Sequence, residues 1–253
     1  GRRLQCVGAA VETSGPGRGM TMSGAVRGDC RIALTGLGLV TPCGVDGPSS
    51  WRGLTTGRSA ARLVTFNDSP AHSDAGHPAD AAFPGTWPGA PAVLPPPAET
   101  DADRPFDVDP VAMLARQAAA EAVARARIFG EVDPTRWGCV FGTSKGGLAA
   151  AAHLLRRTVD AATARVPDLE AVGWWGAVPP SVPAQLLARR FNLQGPLLTP
   201  VAACATGLIA LQRAAELIRD GVCDAVLAGS SDDSLLLPVL ASYRRLGVLA
   251  QRT

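Results

Sequence analysis

Apolar positions in this chain switch repeatedly between a short β-prone run and a helical spacing, and the switching predicts alternating strands and helices. The run RIALTGLGLVTP, from Arg31, ends in glycine and proline, the pattern of a buried strand entering a loop. A short helix is expected near Trp51 to Leu54. From Pro110, PVAMLARQAAAEAVARARIFG opens with proline and carries Leu114, Ala118 and Val123 at helical spacing. RWGCVFGTSKGG then reads as a strand running into a Gly-rich turn, and LAAAAHLLRRTV as the helix that leaves it. VPPSVPAQLLARRFNLQGP predicts a proline-initiated helix closed by Asn192 and Gly195, followed by LLTPVAACA as a strand. GLIALQRAAELIRDG is the next helix, closed by Gly221, and DAVLAGSSDD the strand after it. Strands alternating with helices point to an α/β sandwich with a mainly parallel sheet.

Two stretches lack such a period. Residues 1–29 mix Gly, Arg and Ser and are expected to be a disordered lead-in, leaving residues 30–253 as the domain. Residues 64–109, which include HPADAAFPGTWPGAPAVLPPPAET, are rich in proline and alanine and are expected to form a surface loop.

Composition narrows the class. At 253 residues, 47% hydrophobic and 18% charged, the chain has the balance of a globular domain with a sizeable core. With 24 basic against 22 acidic residues and no basic block, neither DNA nor RNA is an expected partner. No run reaches the roughly 18 to 20 apolar residues that span a bilayer, so no membrane association and a cytoplasmic location are expected. Cysteines at 6, 30, 43, 139, 204 and 223 form no Cys-x-x-Cys pair, and His72, His77 and His153 complete no zinc spacing, so no metal is expected.

Three motifs fall on strand-to-helix turns, where open α/β sheets place their chemistry. GLGLVTPCG offers Gly36 and Gly38 of a dinucleotide fingerprint, but Thr41 stands at the third glycine position, so a structural glycine turn is the better account. Gly142-Thr143-Ser144-Lys145-Gly146 fits the G-x-S-x-G elbow of a serine hydrolase, with Ser144 as nucleophile. Such an enzyme needs a downstream histidine, and His153, nine positions on, is the only one. TPVAACATGLIAL sets Cys204 at a helix start, where the helix dipole and unpaired N–H groups favour thiolate over thiol. A thiolate there suits attack on a thioester carbonyl, with its own backbone N–H donating to the oxyanion. The same residue types also suit a small buried cysteine.

Residues 31–253 resemble the N-terminal half of a β-ketoacyl-acyl-carrier-protein synthase, a condensing enzyme of thiolase-like fold. The segments that carry the resemblance, in order, are RIALTGLGLVTPCG, GCVFGTSKGG, PSVPAQLLARRFNLQGP and VAACATGLIALQRAAELIRDGVCDAVLAGSSD. It implies a thiolase-like α/β/α sandwich in which Cys204 is the cysteine that takes an acyl group from a phosphopantetheine thioester. Condensation with a malonyl unit, in fatty-acid or polyketide synthesis, would follow. It implies no cofactor beyond the phosphopantetheine arm of acyl carrier protein. It also implies that carrier as partner, with Arg125, Arg127, Arg189 and Arg190 as candidate receivers, and a homodimer joined through Leu198 to Ala203.

The resemblance brings departures too. The family's two catalytic histidines and its lysine lie in a C-terminal half, and His72, His77 and His153 match none of those positions. The first sheet of the family gains an antiparallel strand beyond LGVLAQRT. The chain is therefore expected to be a fragment with an incomplete sheet and without full condensing activity. Where elongating members carry an apolar residue that helps gate the acyl pocket, this chain has Lys145, its only lysine. Lys145 is expected to point outward, to pair with Asp232 or Asp233, or to mark a polar or short acyl substrate, since an unpaired buried ammonium would cost several kcal/mol. Alternative functions are a non-catalytic partner of a condensing enzyme, against which Cys204 speaks, and the serine hydrolase using Ser144.

Overall fold

A computed structural model describes residues 9–12, 31–65, 86–93, 109–128, 130–152 and 178–250. In chain order its elements are β1 (Ala9–Glu12), β2 (Ala33–Leu34), α1 (Gly47–Thr55), β3 (Arg62–Thr65), β4 (Thr86–Gly89), α2 (Pro110–Ala126), β5 (Trp137–Gly142), α3 (Val182–Arg190), β6 (Leu197–Leu198), α4 (Thr206–Arg219), β7 (Ala225–Ser230) and α5 (Leu237–Arg245). Residues 148–152 are helical as well.

The central sheet runs β2-β1-β7-β5-β6. β5 pairs in parallel with both β6 and β7, from Trp137 opposite Ala225 to Gly142 opposite Ser230 along β7. β1 is antiparallel to β7 and to β2, so β1 alone opposes the common direction. The sheet is mainly parallel, as the sequence predicts.

Period-two alternation in the central strands explains the layers. Trp137, Cys139 and Phe141 of β5, with Ala225 and Leu227 of β7, meet Ala115, Ala119 and Val123 of α2 and Leu187 of α3 on one face. Val140, Val226 and Ala228 meet Ala210, Ala214 and Ile218 of α4 on the other. A sheet buried on both faces requires such near-continuous apolar strands, and helices on each side give the α/β/α sandwich. Each fully buried Phe141, Leu187 or Leu227 contributes about 1.5–3 kcal/mol.

Local signals fix the helix ends. The Asp109 side chain accepts from the Val111 N–H at 2.9 Å to cap α2, and from the Ala150 N–H at 2.9 Å to tie in the 148–152 turn. Asn192 (φ 50°) and Gly221 (φ 69°) take left-handed conformations just beyond α3 and α4. Glu121 on α2 holds the loop after β2: its carboxylate accepts from the Leu39 N–H at 2.9 Å and the Gly47 N–H at 3.0 Å, and pairs with Arg125 at 2.8 Å.

Three features differ from the sequence reading. Residues 9–12, placed in a disordered lead-in, form β1, because the open edge of β7 leaves N–H and C=O groups that a short extended segment satisfies. Among the described residues this segment is the antiparallel strand of the central sheet. Within the stretch expected to be a loop over 64–109, Thr86–Gly89 pairs with Arg62–Thr65. Pro88 is tolerated because a two-stranded sheet has only edge strands, and Trp87, 1% exposed, anchors the pair beneath Arg244 of α5 at 5.4 Å. Finally α5 itself was not foreseen, although Pro238 near its start and Gly247 (φ 71°) past its end are ordinary helix punctuation. The expected helix LAAAAHLLRRTV is described only to residue 152, and His72, His77, His153, Cys6 and Cys30 lie outside the described residues.

Candidate active site

The carboxyl ends of β5, β6 and β7 converge on the start of α4. Ser231, just past β7, donates its N–H to the Gly142 carbonyl at 3.1 Å. Gly142 lies so close to the next layer that a Cβ there would sit 2.2 Å from the Pro200 oxygen and 2.5 Å from Thr206 Cγ2. Only glycine permits that approach. A Cβ on Gly207 would likewise fall 2.9 Å from Ser230 Oγ.

Cys204 stands in this convergence and is exposed. It lies in a short 3-10 turn, Ala203–Ala205, that runs straight into α4. Ala203 has φ 47°, a conformation that alanine rarely adopts and that persists only where its surroundings impose it. The turn is closed by the Ala205 N–H on the Ala202 carbonyl at 2.9 Å and by the hydroxyl of Thr206. Sequence reasoning placed the cysteine at the helix start; it gave no sign of the left-handed alanine or of the part played by Thr206.

The other described cysteines sit elsewhere. Burial pushes the Cys139 thiol up to about 12 and raises that of Cys223, so both stay protonated in the core at neutral pH. Cys43 is half-buried on the loop before α1.

Ser144 and Lys145, beyond β5, meet Asp232 and Ser234, beyond β7. The Lys145 ammonium donates to Ser144 Oγ at 2.5 Å, Asp232 Oδ2 at 2.8 Å and Ser234 Oγ at 3.0 Å, and Ser144 donates to Asp232 Oδ2 at 2.7 Å. Of the expected partners the lysine takes Asp232; Asp233 instead accepts from the Leu235 N–H at 3.1 Å, and burial raises its carboxyl. Ser144 donates to an Asp232 carboxylate that is already paired with Lys145, and His153, the histidine expected as base for a serine hydrolase, lies outside the described residues. Asp232, Asp233 and Ser234 form the polar wall of a cleft of about 370 Å³ whose apolar lining includes Val40, Leu114 and Leu235.

The ion pair sets a pH dependence. Burial opposes both charges. The hydrogen bonds from Lys145 and Ser144 nevertheless hold the Asp232 carboxyl below its ordinary 3.8, and Asp232 holds the Lys145 ammonium above its ordinary 10.5. The stabilisation is complete between those two values; it fades as pH falls through the lowered Asp232 value and as pH rises through the raised Lys145 value. Side-chain exposures of 27% for Lys145 and 37% for Asp232 let solvent screen the pair, so Lys145→Met is expected to cost only about 0.5–1 kcal/mol at pH 7. The check is urea unfolding of both proteins at pH 7 and well below pH 3.8: a mutant deficit of equal size at both would refute the ion-pair origin.

Among the described residues no group of three or more His, Cys, Asp or Glu side chains is placed to hold a metal, and no helix is long and apolar enough to cross a membrane. Arg125, one of the candidate carrier-binding arginines, is engaged with Glu121.

Comparison with known proteins gives a consistent result. The family model for the β-ketoacyl synthase N-terminal domain matches residues 29–253. The oxytetracycline polyketide putative β-ketoacyl synthase 1 of Streptomyces rimosus is 30% identical over 209 residues, covering 81% of this chain and 46% of that protein. The structure of AntDE:AntF, a type II polyketide synthase acyl-carrier protein in complex with its ketosynthase bound to the hexaketide, superposes with a TM-score of 0.64. It is 25% identical and covers 87% of this chain and 49% of that one. The ketosynthase ApeO in complex with its chain length factor ApeC, from Xenorhabdus doucetiae, gives a TM-score of 0.67 at 18% identity, over 96% of this chain and 52% of that one. The chain spans about half the length of the curated relatives it matches.

Proposed function

The chain belongs to the β-ketoacyl synthase family, and from that premise we propose that it provides the acyl-accepting half of a condensing acyltransferase of fatty-acid or polyketide synthesis. The observation that carries this reading is the exposed Cys204 at the carboxyl edge of the sheet, raised on a strained turn at the head of α4. In the proposed step Cys204 Sγ bonds to the carbonyl carbon of an acyl thioester. The carbon–sulfur bond to the carrier thiol breaks, and that thiol leaves with the proton Cys204 gives up. The Cys204 N–H donates to the oxygen that becomes negative in between. Condensation would follow when a malonyl thioester loses carbon dioxide, its α-carbon bonds to the held acyl carbon, and the Cys204 sulfur departs as thiolate. We assign no residue of this chain to the decarboxylation.

The substrate would arrive on the phosphopantetheine arm of an acyl carrier protein, with no other cofactor. A carrier-bound ketosynthase among the structural relatives supports that partner. The proposal includes a homodimer through Leu198 to Ala203. β6 is the sheet's outer strand and Val201 and Leu208, 54% and 73% exposed, leave apolar surface beside it. Pairing with a chain length factor, as in one relative, is the competing assembly. A cytoplasmic setting fits free thiols that must stay reduced.

The test is intact-mass analysis of the purified chain after incubation with hexanoyl-N-acetylcysteamine, followed by peptide mapping. A single hexanoyl adduct on the peptide holding Cys204 is expected. No adduct, or one on Ser144, would overturn the reading.

A further inference from the structure

We infer that Thr206 is a positioning residue that aims Cys204 and its backbone N–H, an inference that rests on the acyl-transfer reading above. Thr206 is 3% exposed, so it acts through the turn and touches no substrate. Its Oγ1 accepts from the Ala202 N–H at 3.0 Å and donates to the Ala203 carbonyl at 2.7 Å. One hydroxyl thus grips the chain on both sides of the left-handed Ala203.

The second of those bonds reaches the chemistry directly. The Ala203 carbonyl and the Cys204 N–H belong to a single peptide unit, which is planar and trans, so its C=O and N–H point to opposite sides. Drawing the carbonyl toward Thr206 turns the Cys204 N–H the other way, and that N–H is the donor proposed for the oxyanion. The same plane fixes where the Cα–Cβ bond of Cys204 starts.

Packing removes the alternative rotamers of Thr206. Its methyl lies against Gly142, where an added Cβ would come within 2.5 Å of Cγ2. With the methyl seated toward β5, the hydroxyl is left facing the turn. Without that clasp nothing local favours φ 47° at an alanine, and the turn is free to relax.

The experiment compares wild type, Thr206→Val and Thr206→Ser in two reactions followed by intact mass: acyl transfer from hexanoyl-N-acetylcysteamine and alkylation of Cys204 by iodoacetamide. Thr206→Val is expected to slow acyl transfer by about 10- to 100-fold, the usual result of misplacing reacting groups by about an ångström. Its alkylation stays within about threefold of wild type, because that reaction calls on no oxyanion donor. Thr206→Ser brings acyl transfer back to within about threefold, since both hydrogen bonds survive and only a methyl is lost. Wild-type acyl transfer in Thr206→Val, or an equal fall in both reactions, overturns the inference while leaving the acyl-transfer reading intact. A wild-type chain that is alkylated at Cys204 yet never acylated overturns both.

Discussion

Alanine at Gly38 is expected to unfold the chain or reduce its stability by about 3–5 kcal/mol, against the 5–15 kcal/mol by which domains are usually stable. A Cβ there would lie 1.8 Å from the Ala118 carbonyl oxygen and 2.9 Å from the Ala122 nitrogen. Gly36 is in the same position one turn along, 1.8 Å from the Ala122 oxygen. These atoms are helix backbone, so no side chain can swing aside; α2 itself has to retreat by more than an ångström. That retreat would pull Ala115, Ala119 and Val123 out of the core they share with β5 and β7. Gly47→Ala is the control, since its nearest obstacle is Glu121 Oε1 at 3.4 Å, and it should change stability by less than about 1 kcal/mol. Urea unfolding followed by circular dichroism checks both, and a wild-type midpoint for Gly38→Ala would sink the account. The glycines that suggest a dinucleotide fingerprint in the sequence thus have a packing reason for being glycine.

What the sequence makes legible is what is locally encoded. β5 and β7 announce themselves because apolar residues suit strands covered on both faces, and α2, α3 and α4 because proline, Asn192 and Gly221 punctuate them. β1 and the β3–β4 pair are hidden for the opposite reason. Ala9–Glu12 is a strand only because β7 offers an edge, and Thr86–Gly89 finds a partner more than twenty positions away across a Pro/Ala-rich stretch. The site divides the same way. Local chemistry leaves Cys204 open between a nucleophile and a buried filler until the family resemblance singles it out, and charge alone offers Lys145 two carboxylates. Choosing Asp232 takes the geometry of two strand ends. Ala203 is the extreme case, because its own propensity argues against the conformation it takes between the two hydrogen bonds of the Thr206 hydroxyl.

Cys204→Ala should abolish acyl transfer, and Cys204→Ser should lower it by about a thousandfold or more. A cysteine thiol is a few per cent ionised near neutral pH and intrinsically very nucleophilic, whereas a serine hydroxyl attacks only when an adjacent base takes its proton. Among the described residues no side chain hydrogen-bonds the Cys204 thiol as such a base, and sulfur-to-oxygen replacement leaves the turn and its N–H groups otherwise as they were. Two of the three remaining described cysteines are shut away, Cys139 buried with its thiol pushed up to about 12 and Cys223 buried in the opposite core, and peptide mapping separates the half-buried Cys43 from Cys204. Initial rates of hexanoyl adduct formation decide the matter. Ser144→Ala belongs in the same series, because its hydroxyl is committed to Asp232 and Lys145 and its loss should leave the rate within about twofold, as for a surface polar change. If Cys204→Ala still accepts the acyl group with the adduct on Ser144, or Ser144→Ala stops accepting it, the nucleophile is the serine elbow after all and the Lys145 ammonium must then surrender its proton to serve it.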